Sequence, residues 1–92
     1  MSSYPDVKIT NSTQYAAEGK VVYAACSGDS WDTSQLPPGG SVSFSRGVCL
    51  VTRIEATVNG VSADSYTSSG TSYSQYAIIQ KPGGSFAVTR LT

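Results

Sequence analysis

The side chains able to do chemistry in this chain are six carboxylates, nine aromatic rings and two thiols, and no histidine stands among them. A Ser-His-Asp or Cys-His arrangement needs an imidazole to take the nucleophile's proton near neutral pH, so both are excluded. Two cysteines without histidine also fall short of the usual four-ligand zinc site within one chain. The carboxylates are Asp6, Glu18, Asp29, Asp32, Glu55 and Asp64. A glycosidase needs two of them across a cleft, and Asp29 and Asp32, flanking Trp31, are the best pair. A domain this small offers little wall for a deep, water-excluding pocket, so the expectation is a binding protein and not an enzyme. Asp29 and Asp32 could supply two hard ligands. No spaced third carboxylate and no terminal glutamate follow in the pattern of a calcium loop, and neither metal nor cofactor is expected. Pro38-Gly39-Gly40-Ser41 and Pro82-Gly83-Gly84-Ser85 lack the lysine and the helix of a phosphate cradle and read as hairpin turns.

The aromatic residues are more informative. Six tyrosines stand against two phenylalanines and one tryptophan. Tyrosine presents a flat apolar face and a hydroxyl together at low entropic cost, which suits sugar rings and polar surfaces. Tyrosines are also ordinary residues of sandwich cores. Tyr66 and Tyr73 stand apart because they lie in the Ser/Thr-rich stretch Ser62 to Ser74, and Trp31 because acids bracket it in a turn. Together with Asp29 and Asp32 these make the expected ligand-binding set: Trp31, Asp29, Asp32, Tyr66 and Tyr73. The competing reading of Cys26 to Asp32 is an exposed turn held by local Asx hydrogen bonds.

The elements that would position these residues are short. Ninety-two residues make one domain, 1–92, with a single core. Charged residues are 13% of the chain, about half of the globular average of roughly 25%, and Ser, Thr, Gly and Tyr fill the gap. Six basic and six acidic residues cancel, so no long-range field draws nucleic acid or an anionic bilayer, and nucleic acid is not an expected partner. No 18-residue apolar window exists, which excludes a membrane-spanning helix. Met1 to Lys8 shows no apolar run of a signal peptide, leaving secretion in a processed form or a cytoplasmic location. Cys26 and Cys49 can form one bridge or remain two buried thiols. Asn11-Ser12-Thr13 matches the glycosylation acceptor pattern, which makes Asn11 a candidate site.

Turn signals recur at Asn11-Ser12-Thr13, Gly28-Asp29, Pro37 to Gly40, Asn59-Gly60, Ser69-Gly70 and Pro82 to Gly84, leaving little room for helices. Val7 and Ile9 alternate with Lys8 and Thr10 as a first strand. Lys20 to Cys26 is apolar on both parities, as in a central strand covered on both faces. Ser41 to Ser45 places Val42 and Phe44 on one side. In Val48 to Asn59, the residues Val48, Leu50, Ile54, Ala56 and Val58 share one face, interrupted by Thr52, whose hydroxyl is expected to bond to backbone. Gln75 to Gln80 and Ser85 to Leu91 read as a hairpin. The Ser62 to Ser74 stretch, eight of whose thirteen residues are Ser or Thr, is expected to be a loop. The fold class is all-β, an antiparallel β-sandwich of six to eight short strands, with a small β-barrel as the alternative.

The Ile9-Thr10-Asn11 strand end, the mid-chain Pro-Gly turn and the Ser69-Gly70-Thr71 loop before a strand resemble the aegerolysin-type β-sandwich proteins of fungi and bacteria. That resemblance implies binding to membrane lipids, with some members permeabilising membranes alongside a partner. Small fungal lectins and immunomodulatory proteins are similar in size and composition. No functional residue is carried over from either group.

Three functional expectations follow. The first is lectin-like recognition of a glycan through aromatic, hydroxyl-rich loops, with a homodimer supplying avidity. The second is a membrane-lipid or cell-surface effector of the toxin, defence or immunomodulatory type, whose uncharged aromatic loops contact a bilayer interface. The third is an assembly subunit that pairs exposed strand edges with other copies.

Overall fold

The computed structural model describes residues 3–91 and is all-β, with nine strands in two open sheets packed as a sandwich. The first sheet has the order β4-β1-β8-β9, from Ser41–Phe44, Val7–Asn11, Gln75–Gln80 and Phe86–Arg90. The second runs β3-β2-β5-β6, from Cys26–Trp31, Ala17–Tyr23, Val51–Val58 and Val61–Ser62, with β7 (Tyr66–Thr71) also pairing β5. Both sheets have free edges, which separates the fold from the barrel alternative. Pairing between strands is antiparallel except for β1 and β8, which run parallel from Lys8 opposite Gln75 to Asn11 opposite Ile78, and one isolated parallel bridge joins Asp64 to Ala87.

Alternation drives the strands. Val7, Ile9 and Asn11 are buried, while Lys8 between them is exposed. In β8 and β9, Tyr76, Ile78, Phe86 and Val88 turn into a single core with Val21, Val51, Ile54, Val58 and Leu36. The β5–β6 hairpin turns on Asn59 and Gly60, both at positive φ (52° and 76°), as a two-residue turn of right-handed strand twist requires. β2 is interior to its sheet but covered on one face only. Ala17, Val21 and Tyr23 are buried, whereas Lys20 is exposed and Val22 half-exposed, so its second apolar parity meets solvent.

Two expectations about register change. The ladders from β2 and β7 onto β5 both shift at its start, between Val22 and Tyr23 and between Val51 and Arg53. The irregularity flips side-chain parity there, so that Val51 is buried, Leu50 is half-exposed and Val48 lies outside at 52% exposure. Thr52 sits at this step and its hydroxyl donates to the Val22 carbonyl at 3.2 Å, meeting the need of the expected backbone bond. The Ser62 to Ser74 stretch is mostly strand, not loop. It contains β7, whose polar residues tolerate an edge position because Ser68 Oγ donates to the Val51 carbonyl at 2.6 Å.

Candidate functional site

One end of the sandwich is organised by Arg46. The loop joining β4 to β5 must cross between sheets, and Arg46 within it is buried at 5% exposure. Its Nε donates to the Pro5 carbonyl at 3.1 Å. Its other nitrogens donate to the carbonyls of Thr71 (3.4 Å) and Ser72 (2.6 Å) and to Ser74 Oγ (2.8 Å). The guanidinium also lies over the Tyr4 ring at 5.1 Å. No carboxylate of a described residue forms an ion pair with it. A buried cation without a counter-ion is tolerated only when oxygen dipoles replace its hydration, and here two chain segments, at Pro5 and at Thr71 to Ser74, supply them. Arginine's fixed fork of donors suits this bridging in a way that a lysine ammonium does not.

The same end gathers exposed apolar groups. Tyr4 N–H donates to the Gly47 carbonyl at 2.8 Å, which seats the N-terminal segment on the β4–β5 loop beside Val48. Arg90 stacks on the Tyr73 ring at 4.0 Å, and Leu91 N–H donates to the Gln75 carbonyl at 2.9 Å. Tyr4, Val48, Tyr73 and Leu91 are four of the six large apolar residues exposed among the described residues. The other two are apart from them: Tyr15 packs edge-on to Phe86, and Val61 lies on β6. Beneath, Tyr76 O–H donates to the Tyr73 carbonyl at 2.8 Å and holds the β7–β8 loop on the core. Burial pushes the Tyr76 phenol up to about 12. Cys26 and Cys49 are bridged, tying the β4–β5 loop to the first residue of β3.

The residues expected to form the ligand site are dispersed. Trp31 is not exposed in a turn. It ends β3 at 4% exposure, its indole N–H donating to the Ala17 carbonyl at 3.1 Å and its ring meeting Phe44 at 6.1 Å. Gly19 explains the burial. It lies opposite Trp31 in the β2–β3 ladder, where a Cβ would collide with the Glu55 carbonyl oxygen and stand 2.7 Å from Trp31 Cζ2. Asp29 accepts the Tyr23 hydroxyl at 2.8 Å. Burial first, then this bond, raises the pKa of the Tyr23 phenol. Asp32 is an exposed Asx-turn residue that accepts from the Ser34 N–H at 3.0 Å and from the Ser34 hydroxyl, which holds its carboxyl below the usual range. Tyr66 packs against Tyr76 at 5.0 Å, part of the core margin. Of the three aromatic residues in the set, only Tyr73 stays exposed as expected. Trp31 shares a row with Gly19 and Ala56, and Thr71, which leads to Tyr73, shares a row with Val51. Five residues of strand separate the rows, about 17 Å.

Asn11 is corrected as a glycosylation candidate. It is fully buried, its Nδ2 donating to the carbonyls of Tyr15 (2.7 Å), Leu36 and Pro37 (both 3.3 Å). Its Oδ1 accepts from Thr13 N–H at 3.0 Å and the Thr13 hydroxyl at 2.7 Å. The nitrogen that would carry a glycan is already used inside the fold, where Asn11-Ser12-Thr13 serves as the lock of the β1–β2 connection. Arg46, in contrast, was missed by sequence reasoning. Its only advance signal is a cation next to glycine in a loop between two apolar strands.

No group of three or more potential metal-ligating carboxylates or cysteines occurs among the described residues, and no helix there is long and apolar enough to cross a membrane. Compared with family models, curated proteins and solved structures, the chain matches none of them.

Proposed function

We propose that the protein binds the interface of a lipid bilayer through the end organised by Arg46. The observation that carries this reading is the gathering of Tyr4, Val48, Tyr73 and Leu91, each 38–52% exposed, on segments that Arg46 and the strand pairing fix in place. Val48 and Leu91 offer aliphatic area for the acyl boundary. Tyrosine rings prefer the headgroup level, where the face is apolar and the hydroxyl wet. Arg90, spread on Tyr73, provides a donor for a lipid phosphate. Burying the exposed part of each of these side chains is worth on the order of 1 kcal/mol, so binding is modest and needs all four.

With formal charge balanced across the chain, attraction is short-ranged and weakly dependent on salt. Flotation with phosphatidylcholine vesicles, with and without one-fifth phosphatidylserine, tests this at low and high ionic strength. The protein is expected to rise with both, changing little with salt, and the Val48→Asp/Leu91→Asp variant to remain at the bottom. Wild-type protein left at the bottom of every gradient would overturn the reading.

A further inference from the structure

We propose that the solvent face of the second sheet carries a separate site for one ring of a neutral saccharide, centred on Gly19. The absence of a side chain at Gly19 lets β2 close on β5 and on Trp31 on the core side, and on the opposite, solvent side the Gly19 backbone lies at an open depression of about 250 Å³ bordered by polar side chains. That is smaller than the roughly 300–1,000 Å³ of pockets for drug-sized ligands, and suits a single pyranose. Glu18 and Lys20 border it from β2, Glu55 and Thr57 from β5, and Ser30 from β3. Ala56 and Trp31, whose side chains share the core-facing row of Gly19, complete the lining.

The donor and acceptor set matches vicinal hydroxyls, each of which gives one hydrogen bond and accepts others. Two carboxylates accept, an ammonium donates, and the Ser30 and Thr57 hydroxyls do both. Glu55 is already oriented: Arg53 Nε holds its Oε2 at 2.8 Å, and Lys20 Nζ lies 3.9 Å from the same oxygen, leaving Oε1 for a ligand. Glu18 makes no ion pair with another described residue. Glu18 and Glu55 are balanced in formal charge by Lys20 and Arg53, which is why the ligand class is neutral sugar and not a uronic acid or an amino sugar. An open, polar depression gains little from desolvation, so the expected dissociation constant for a monosaccharide is in the millimolar range. The site shares no residue with the apolar end and does not depend on the bilayer reading.

The test is titration of isotope-labelled protein with glucose, galactose, mannose and N-acetylglucosamine, followed by amide chemical shifts. Saturable shifts are expected at the Gly19, Ser30 and Thr57 amides with at least one of these sugars. Ser30→Arg fills the depression from an edge strand and is expected to weaken that binding at least tenfold. Glu18→Gln, a milder change, is expected to weaken it about threefold. Dispersed spectra matching wild type establish that each variant is folded. Shifts with none of the four sugars overturn the proposal, as does a response confined to the Tyr73 loop or an affinity indifferent to both variants.

Discussion

Replacing Arg46 with methionine keeps an unbranched apolar stem, though a shorter one, and removes every donor that joins the three segments of the apolar end. Two of its four hydrogen bonds are short, to the Ser72 carbonyl at 2.6 Å and Ser74 Oγ at 2.8 Å, one is ordinary at 3.1 Å, and the last, 3.4 Å from Thr71, is weak. A bond from a charged donor contributes about 1.5–3 kcal/mol net, which puts the three good ones at roughly 5–9 kcal/mol. Against this stands the cost of holding a guanidinium out of water, several kcal/mol, which methionine does not carry. The freed carbonyls lie in loops that water can reach, and this lowers the loss again. The expected balance is a destabilisation of about 2–4 kcal/mol, a large part of the 5–15 kcal/mol that holds a small domain folded. Urea unfolding reads the global part as a lower midpoint at unchanged slope. Amide exchange reads the local part, with Thr71 to Gln75 and Tyr4 to Asp6 exchanging faster while Ile54 and Ile78 follow the global change. Arg46→Lys restores charge without the fork and should recover less than half of the loss. A midpoint within error of wild type, with unaltered exchange in the two loops, would show that Arg46 is not the organiser described above.

Reducing the Cys26–Cys49 bridge with a dithiol opens a loop set by 23 residues of separation, and unfolding in the reductant should show about 3 kcal/mol less stability. Asn11→Ala strips both sides of the β1–β2 lock, leaving several buried groups unpaired, and should lower stability by about 2–4 kcal/mol in thermal or urea melts. Alkaline pH acts through Tyr23 and Tyr76. Both phenols titrate higher in the folded than in the unfolded chain, so the folded state holds its protons longer, and stability is flat below about pH 10 and falls as pH rises through the range up to about 12. Urea midpoints from pH 8 to 12 check this, and a midpoint that rose above pH 10 would contradict the burial of both hydroxyls. Trp31→Ala removes the contact with Phe44 and the bond to Ala17, and should cost about 3–5 kcal/mol.

Strand positions were readable where one face is core and the other solvent, as in β1, β4 and β9, since period-two alternation is the direct imprint of half-burial. The Asn59-Gly60 turn was equally legible because few dipeptides accept two positive φ angles. What alternation does not carry is a change of phase. The step at Thr52 moved Val48 from an expected core face to the surface, and that exposed valine became part of the candidate site. Polar edge strands were hidden for a related reason: β7 earns its strand geometry from pairing with β5, a long-range partner, and its own Ser-Ser-Gly composition argues for a loop. Trp31 was misplaced because its burial depends on Gly19 across the ladder, and local acids say nothing of that neighbour. Arg46 was invisible because a buried cation is recognised only by the carbonyls around it.

The parallel β1–β8 pairing has a consequence for how the chain reaches this state. β1 is made long before β8, yet each needs the other as a neighbour. While the ribosome is still producing the middle of the protein, β1 has at most β4 to pair with, and its other edge of amides and carbonyls is unsatisfied. Closing so long a chain segment before any of its reward is collected slows folding. The first sheet is therefore expected to assemble only after β8 has emerged, with β1 exposed to stray pairing until Gln75 to Gln80 arrives to cover it.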